Sequence, residues 1–162
     1  MKTSPLRAII TVTIAVLALT ACSTLTAPVV ENEAMTVEEA GAYYLETVCP
    51  ANEVGEALGA AYTAQDLPAF TAAAEVARDA YKESGLRFAD ETVVWPEAVA
   101  ADILILRDAS IALATSYQTL SEVTTLQEAD AVVFPTSADS AEASSRIRDA
   151  LGLSSDPAVS CP

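Results

Sequence analysis

Residues 95–120 read WPEAVAADILILRDASIALATSYQTL. Within them Val99, Ile103, Leu106, Ser110, Leu113, Tyr117 and Leu120 recur at alternating spacings of four and three. That period places them on one face of a helix, and Leu104 and Ile111 widen the stripe. After the first 21 residues this is the most apolar part of the chain, so it is expected at the centre of a helical bundle. Its start falls near Trp95-Pro96, where a proline is tolerated because the first-turn N–H has no helical acceptor. Val123-Thr124-Thr125 is its expected end, since β-branched residues weaken helix propensity.

The neighbouring segments repeat the pattern. Thr36-Val37-Glu38-Glu39 has the Thr-x-x-Glu form of a capping box, in which two orphan N–H groups are satisfied reciprocally. Val37, Ala40, Tyr44 and Val48 follow at helical spacing, with Leu45 beside them. Pro50 is expected to stop this helix or to restart a second one through Val54, Leu58, Ala61 and Tyr62. Asp66 reads as the next cap, with Pro68 in the first turn and Phe70, Ala73, Ala74, Ala77 and Tyr81 on one face. Gly85 stands where a C-terminal cap belongs, and residues 86–94 read as a connection. Asp139-Ser140-Ala141-Glu142 opens the last helix. Ala143, Ile147, Ala150 and Leu151 form its stripe, and Gly152 ends it. Val132-Val133-Phe134-Pro135 is apolar but too short to assign. No strand period is present. The expected fold is all-α, an antiparallel bundle of four to five helices, with residues 36–162 forming a single helical domain.

The N-terminus follows another logic. Lys2 and Arg7 flank a short positive region, and residues 8–19 are uncharged and apolar. Twelve such residues suit a signal peptide and fall short of the ~20 that a spanning helix needs. Leu19-Thr20-Ala21-Cys22 comes next. This tetrapeptide resembles the lipobox of bacterial lipoproteins, in which two small residues precede the cysteine. The resemblance covers about 22 residues and speaks to processing alone. It implies removal of residues 1–21, diacylglyceryl attachment to the Cys22 thiol, and a chain held by lipid on the extracytoplasmic face of the cell membrane. Two buried acyl chains anchor stably where one is marginal. Residues 22–35 are then the lipidated cysteine and a flexible tether. The 13 residues after Cys22 reach at most about 43–47 Å when extended.

Cys49 and Cys161 remain once Cys22 is lipidated. An even pair in an exported chain points to a disulfide, which would tie the C-terminal tail to the first helix. Two free thiols or an intermolecular bridge are the alternatives. Cys49-Pro50 is not a CxxC motif, so thiol exchange has no support.

Charge and side-chain chemistry then narrow the function. The chain has 8 Lys and Arg against 23 Asp and Glu, a net charge of −15. Loss of Lys2 and Arg7 leaves six against 23, or −17. Such a surface repels nucleic-acid phosphates, so no nucleic-acid partner is expected. There is no His, hence no Ser-His or Cys-His nucleophile pair and no His-liganded zinc. Phosphate-binding glycine loops, dinucleotide fingerprints and EF-hand loops are also missing, so no cofactor or metal is assigned. Asp90, Glu91, Glu97 and Asp102 are the carboxylates positioned to converge near Trp95, although Asp90 and Glu91 fit a connection and Glu97 fits a helix N-terminus. Tyr43, Tyr44, Tyr62, Tyr81 and Tyr117 fall on the helix stripes, which reads as core with hydroxyls at the rim, or as the lining of a groove.

The first expectation is a non-enzymatic interaction module that meets another envelope or membrane protein. The second is a lipoprotein that binds a small ligand or a cation. A carboxylate-dependent hydrolase ranks last. A flat apolar patch favours the first, and a deep pocket lined by tyrosines favours the others.

Overall fold

The computed structural model describes residues 33–135 and 138–161. They form α1 (Val37–Thr63), α2 (Leu67–Phe88), α3 (Glu97–Ser121), the single turn α4 (Leu126–Ala129), α5 (Ala138–Ala150) and the short α6 (Pro157–Ser160). There is no strand among the described residues. The fold is an all-α antiparallel bundle, with α1 packed on α2, α2 on α3, and α3 on α5. The signal-peptide and lipidation assignments for residues 1–21 and Cys22 lie outside the described residues.

Local chemistry sets the helix starts. The Thr36 hydroxyl accepts from the Glu39 N–H at 3.3 Å, while the Glu39 carboxylate accepts from the Thr36 N–H at 2.9 Å. Donation from the Thr36 N–H, and from the Thr36 hydroxyl at 2.8 Å, holds the Glu39 carboxyl below its ordinary range. Asp66 accepts from the Ala69 N–H at 3.0 Å. Thr125 and Glu128 form a second capping box, which is what makes a four-residue α4 possible. Gly152, at φ +68°, closes α5. The Leu153 N–H reaches the Arg148 carbonyl at 2.8 Å, the Schellman pattern that calls for a left-handed residue.

Three expectations change. Pro50 does not break the first helix, and α1 runs unbroken from Val37 to Thr63. A proline removes one intrahelical bond and crowds the preceding turn, and here tertiary partners hold that turn. Ser84 on α2 has one hydroxyl proton, which faces the Thr47 carbonyl at 2.8 Å and its own Ala80 carbonyl at 3.0 Å. Gly85 does not cap α2, which continues to Phe88. It is instead a close-approach residue: a Cβ there would lie 2.9 Å from Ile111 Cγ1 on α3. Leu104 and Ile111 do not belong to the core stripe, being 49% and 51% exposed.

The core has two parts. Tyr44, Phe88, Val99, Ile103, Leu106, Ala143, Ile147 and Leu151 form the larger cluster. Ala61, Phe70, Ala74, Leu120 and Ala129 form the smaller one, which Val132 partly covers. The unassigned segment 132–135 therefore lies along α3. The Val133 carbonyl accepts from Ser116 Oγ at 3.2 Å, and Phe134 sits edge-on to Tyr117 with ring centroids 5.2 Å apart.

The disulfide joins Cys49 to Cys161, with Cα atoms 5.3 Å apart. It fastens α6 and the tail to the middle of α1. No helix among the described residues is long and apolar enough to cross a membrane.

Candidate functional site

Where α1, α2, α3 and α5 meet, their stripes leave a cavity of about 190 Å³. Its origin is visible in the residue sizes. Four serines line it, Ser84 from α2, Ser110 from α3, and Ser140 and Ser144 from α5. A serine where a leucine-sized side chain would close the packing leaves a void. Val48, Phe88, Leu106 and Leu113 supply apolar wall, and Pro157 of α6 closes one side.

One charged side chain joins this lining. Ser140, Ser144 and Arg148 follow at a spacing of four, which aligns them on one face of α5. Arg148 is only 3% exposed. Arginine is rarely buried so fully without an anionic partner, yet no carboxylate pairs with it among the described residues. Its Nη1 donates to the Ser154 carbonyl at 3.0 Å and to Ser160 Oγ at 3.1 Å. Its guanidinium carbon lies 5.6 Å from the Tyr44 ring centroid, within cation–π range. Its Nε is buried and has no hydrogen-bond partner. The position in the last turn of α5 favours a cation through the helix dipole. The remaining polar groups are hydroxyls and the Asn52 amide, which donates to Cys161 Sγ at 3.7 Å. Tyr44 and Ser144 share a bond of 2.9 Å, and Ser110, 8% exposed, bonds to no other described side chain.

The carboxylates expected near Trp95 do not converge. Asp90 accepts from the Thr92 N–H and hydroxyl at 2.9 and 2.7 Å, a local turn that lowers its pKa. Asp102 accepts from Arg146 Nη2 at 2.6 Å, and that bond from the guanidinium holds its carboxyl below the usual range. Glu91 and Glu97 are exposed. Trp95 packs against Tyr43 and Phe88, with centroids 5.6 and 6.1 Å away, and its buried Nε1 has no acceptor. These four carboxylates therefore serve a turn, an ion pair and the surface, with no shared centre for acid–base chemistry.

The tyrosines divide between core and rim. Tyr44 is fully buried, and Tyr44 and Tyr81 line the cavity. Tyr81 stacks on Tyr117 with centroids 5.3 Å apart, and burial raises the pKa of both. Tyr43 carries Arg87 over its ring at 4.5 Å. The Tyr62 hydroxyl donates to Asp130 at 2.6 Å, which raises the Tyr62 pKa.

No group of three or more Cys, Asp or Glu is placed to hold a metal among the described residues. On an acidic surface cations act by screening, which does not distinguish magnesium from calcium. In thermal melts at matched ionic strength, millimolar calcium and magnesium are expected to shift the midpoint equally and slightly. A large shift for calcium alone would reveal a specific site.

A second surface feature lies on the outer face of α2 and α3. Leu86 and Ile111, 59% and 51% exposed, share a shallow groove with Arg78, Lys82 and Asp79, the last paired with Arg78 at 2.8 Å. It is an apolar patch with charged neighbours of both signs on a chain of net charge −15.

Arg148 escaped the sequence reading because it neighbours Ile147 and passes for a surface charge beside a core position. The available signal was the run Ser140, Ser144, Arg148, which continues one helical face next to the apolar stripe. Ser110 stood in the α3 stripe from the start. Comparison of the chain with family models, with curated proteins and with solved structures gave no match.

Proposed function

We propose that this chain is an extracytoplasmic lipoprotein, anchored through Cys22, whose helical domain is a non-catalytic binding module for a small ligand. The observation that carries the binding reading is the cavity with a buried Arg148 on its wall that pairs with no carboxylate among the described residues. Apolar concavities with a few convergent polar groups are the usual form of a small-molecule site. The residues around it include no paired nucleophile and base, which supports binding over turnover.

Two experiments test the proposal. Cys22→Ser is expected to abolish incorporation of labelled palmitate in growing cells, and continued labelling would refute the anchor. For the cavity, the full chain in non-ionic detergent is melted against a panel of small aromatic compounds. Ligand that binds only the folded state adds about 2.7 kcal/mol at a hundredfold excess over its Kd. Ser110→Leu, which puts a larger side chain into the void, is expected to erase the resulting rise in melting temperature. Shifts that survive this variant would place the ligand elsewhere.

The groove at Leu86 and Ile111 favours a second reading, docking of another envelope or membrane protein. In-cell crosslinking from a photoreactive residue at position 86 tests it. A single abundant adduct, lost in Ile111→Glu, would support docking there, and a diffuse ladder would not.

A further inference from the structure

We propose that the cavity takes a small monocarboxylate with an apolar body, its carboxylate paired with the buried Arg148 guanidinium. This rests on the small-ligand reading above and names the ligand class for that same site.

Arginine has five N–H donors in a planar fork. The two on Nη1 are taken by the Ser154 carbonyl and Ser160 Oγ, at 3.0 and 3.1 Å. Those bonds fix the plane of the group and leave the opposite edge. Nε is buried without an acceptor, and Nη2 bonds to no described residue. The Nε–Nη2 edge is one of the two that match a carboxylate with parallel hydrogen bonds. A buried cation without a counter-ion is costly, because burial removes its hydration. A ligand carboxylate supplies both the missing charge and the missing acceptors. Ser110, also in the lining, offers one further polar contact.

The rest of the cavity selects the body. Phe88, Leu106 and Leu113 offer no hydrogen bonds. A volume near 190 Å³ suits a single ring with a short substituent, given that cavities of about 150 Å³ hold benzene. The charge count sets the valence. One buried cation neutralises one negative charge, and a dianion would keep an unpaired charge in an apolar space. The acidic exterior acts in the same direction, since repulsion grows with ligand charge.

Isothermal titration calorimetry on the full chain in dodecyl maltoside, with three probes, tests this. Benzoate carries ring and charge, benzyl alcohol carries the ring, and acetate carries the charge. Benzoate is expected to bind at least about tenfold more tightly than either of the others, a difference of about 1.4 kcal/mol. Arg148→Met keeps the side-chain length and removes the charge. It should weaken benzoate by at least about tenfold and leave benzyl alcohol nearly unchanged. Ser110→Leu retains Arg148 and fills the void, so it should abolish benzoate binding, and it carries the test if Arg148→Met fails to fold.

Equal affinity for benzoate and benzyl alcohol, or an unchanged benzoate affinity in Arg148→Met, would overturn the carboxylate assignment and leave the small-ligand reading standing. Acetate binding as tightly as benzoate would overturn the apolar body. If no probe binds, the monocarboxylate proposal falls. The wider panel of melts then decides whether the small-ligand reading falls with it.

Discussion

Replacing Cys49 by Ala and Cys161 by Ser together is expected to lower stability by roughly 4–5 kcal/mol in the chain-entropy account of disulfides. The crosslink spans a sequence separation of 112, so it removes a large set of open conformations from the unfolded chain. For a domain of this size the loss corresponds to a fall in melting temperature of roughly 10–20 °C. The structural consequence is local. The tail carries Ser160, which accepts from Arg148, and Pro157, which closes one side of the cavity. Loss of the crosslink should therefore loosen this side of the bundle before the α2–α3 pair. Hydrogen exchange at the α5 and α6 amides, compared with those of α3, reads this directly. A fall in stability below about 1 kcal/mol would mean that the noncovalent contacts hold the tail without it.

The second large effect is a contrast between adjacent residues. Ile103→Ala is expected to cost about 2–5 kcal/mol, because the side chain is fully buried and its removal leaves a cavity beside Val99 and Ile147. Leu104→Ala removes a similar amount of side chain from a residue that is 49% exposed. It should cost less than about 0.5 kcal/mol, the range of ordinary surface changes. Urea denaturation with unchanged slope for both variants measures the difference. Costs within 1 kcal/mol of each other would mean that the α3 face is oriented differently.

The α3 segment shows how far periodicity carries and where it stops. Val99, Ile103, Leu106, Ser110 and Leu120 are buried as their spacing requires. Leu104 and Ile111 satisfy the same wide stripe and lie outside it. A period fixes the angle between residues on a helix. It does not fix how wide an arc the neighbours cover, and here α2 and α5 cover a narrow one. The same holds for Gly85, whose conformational freedom suggests a cap and whose use is the close passage of α3. The continuity of α1 across Pro50 likewise goes against the local signal, and Ser84, far along the chain, donates to the Thr47 carbonyl in the turn before it.

What the sequence determined alone are the features that depend on neighbours within a few residues or on counting. The capping box at Thr36, the cap at Asp66, the stop at Gly152 and the helical class are of the first kind. The pairing of Cys49 with Cys161 is of the second, given lipidation at Cys22. The tertiary structure decided what depends on several helices at once. It brings Ser84, Ser110, Ser144 and Arg148, each unremarkable on its own helix, to one small cavity, and among the described residues it pairs that arginine with no carboxylate. It also parts Asp90, Glu91, Glu97 and Asp102, whose nearness along the chain had suggested a site. The physical reason is that hydrogen bonds at helix ends act over one turn, whereas a void and a desolvated charge are set by the packing of all the helices that surround them.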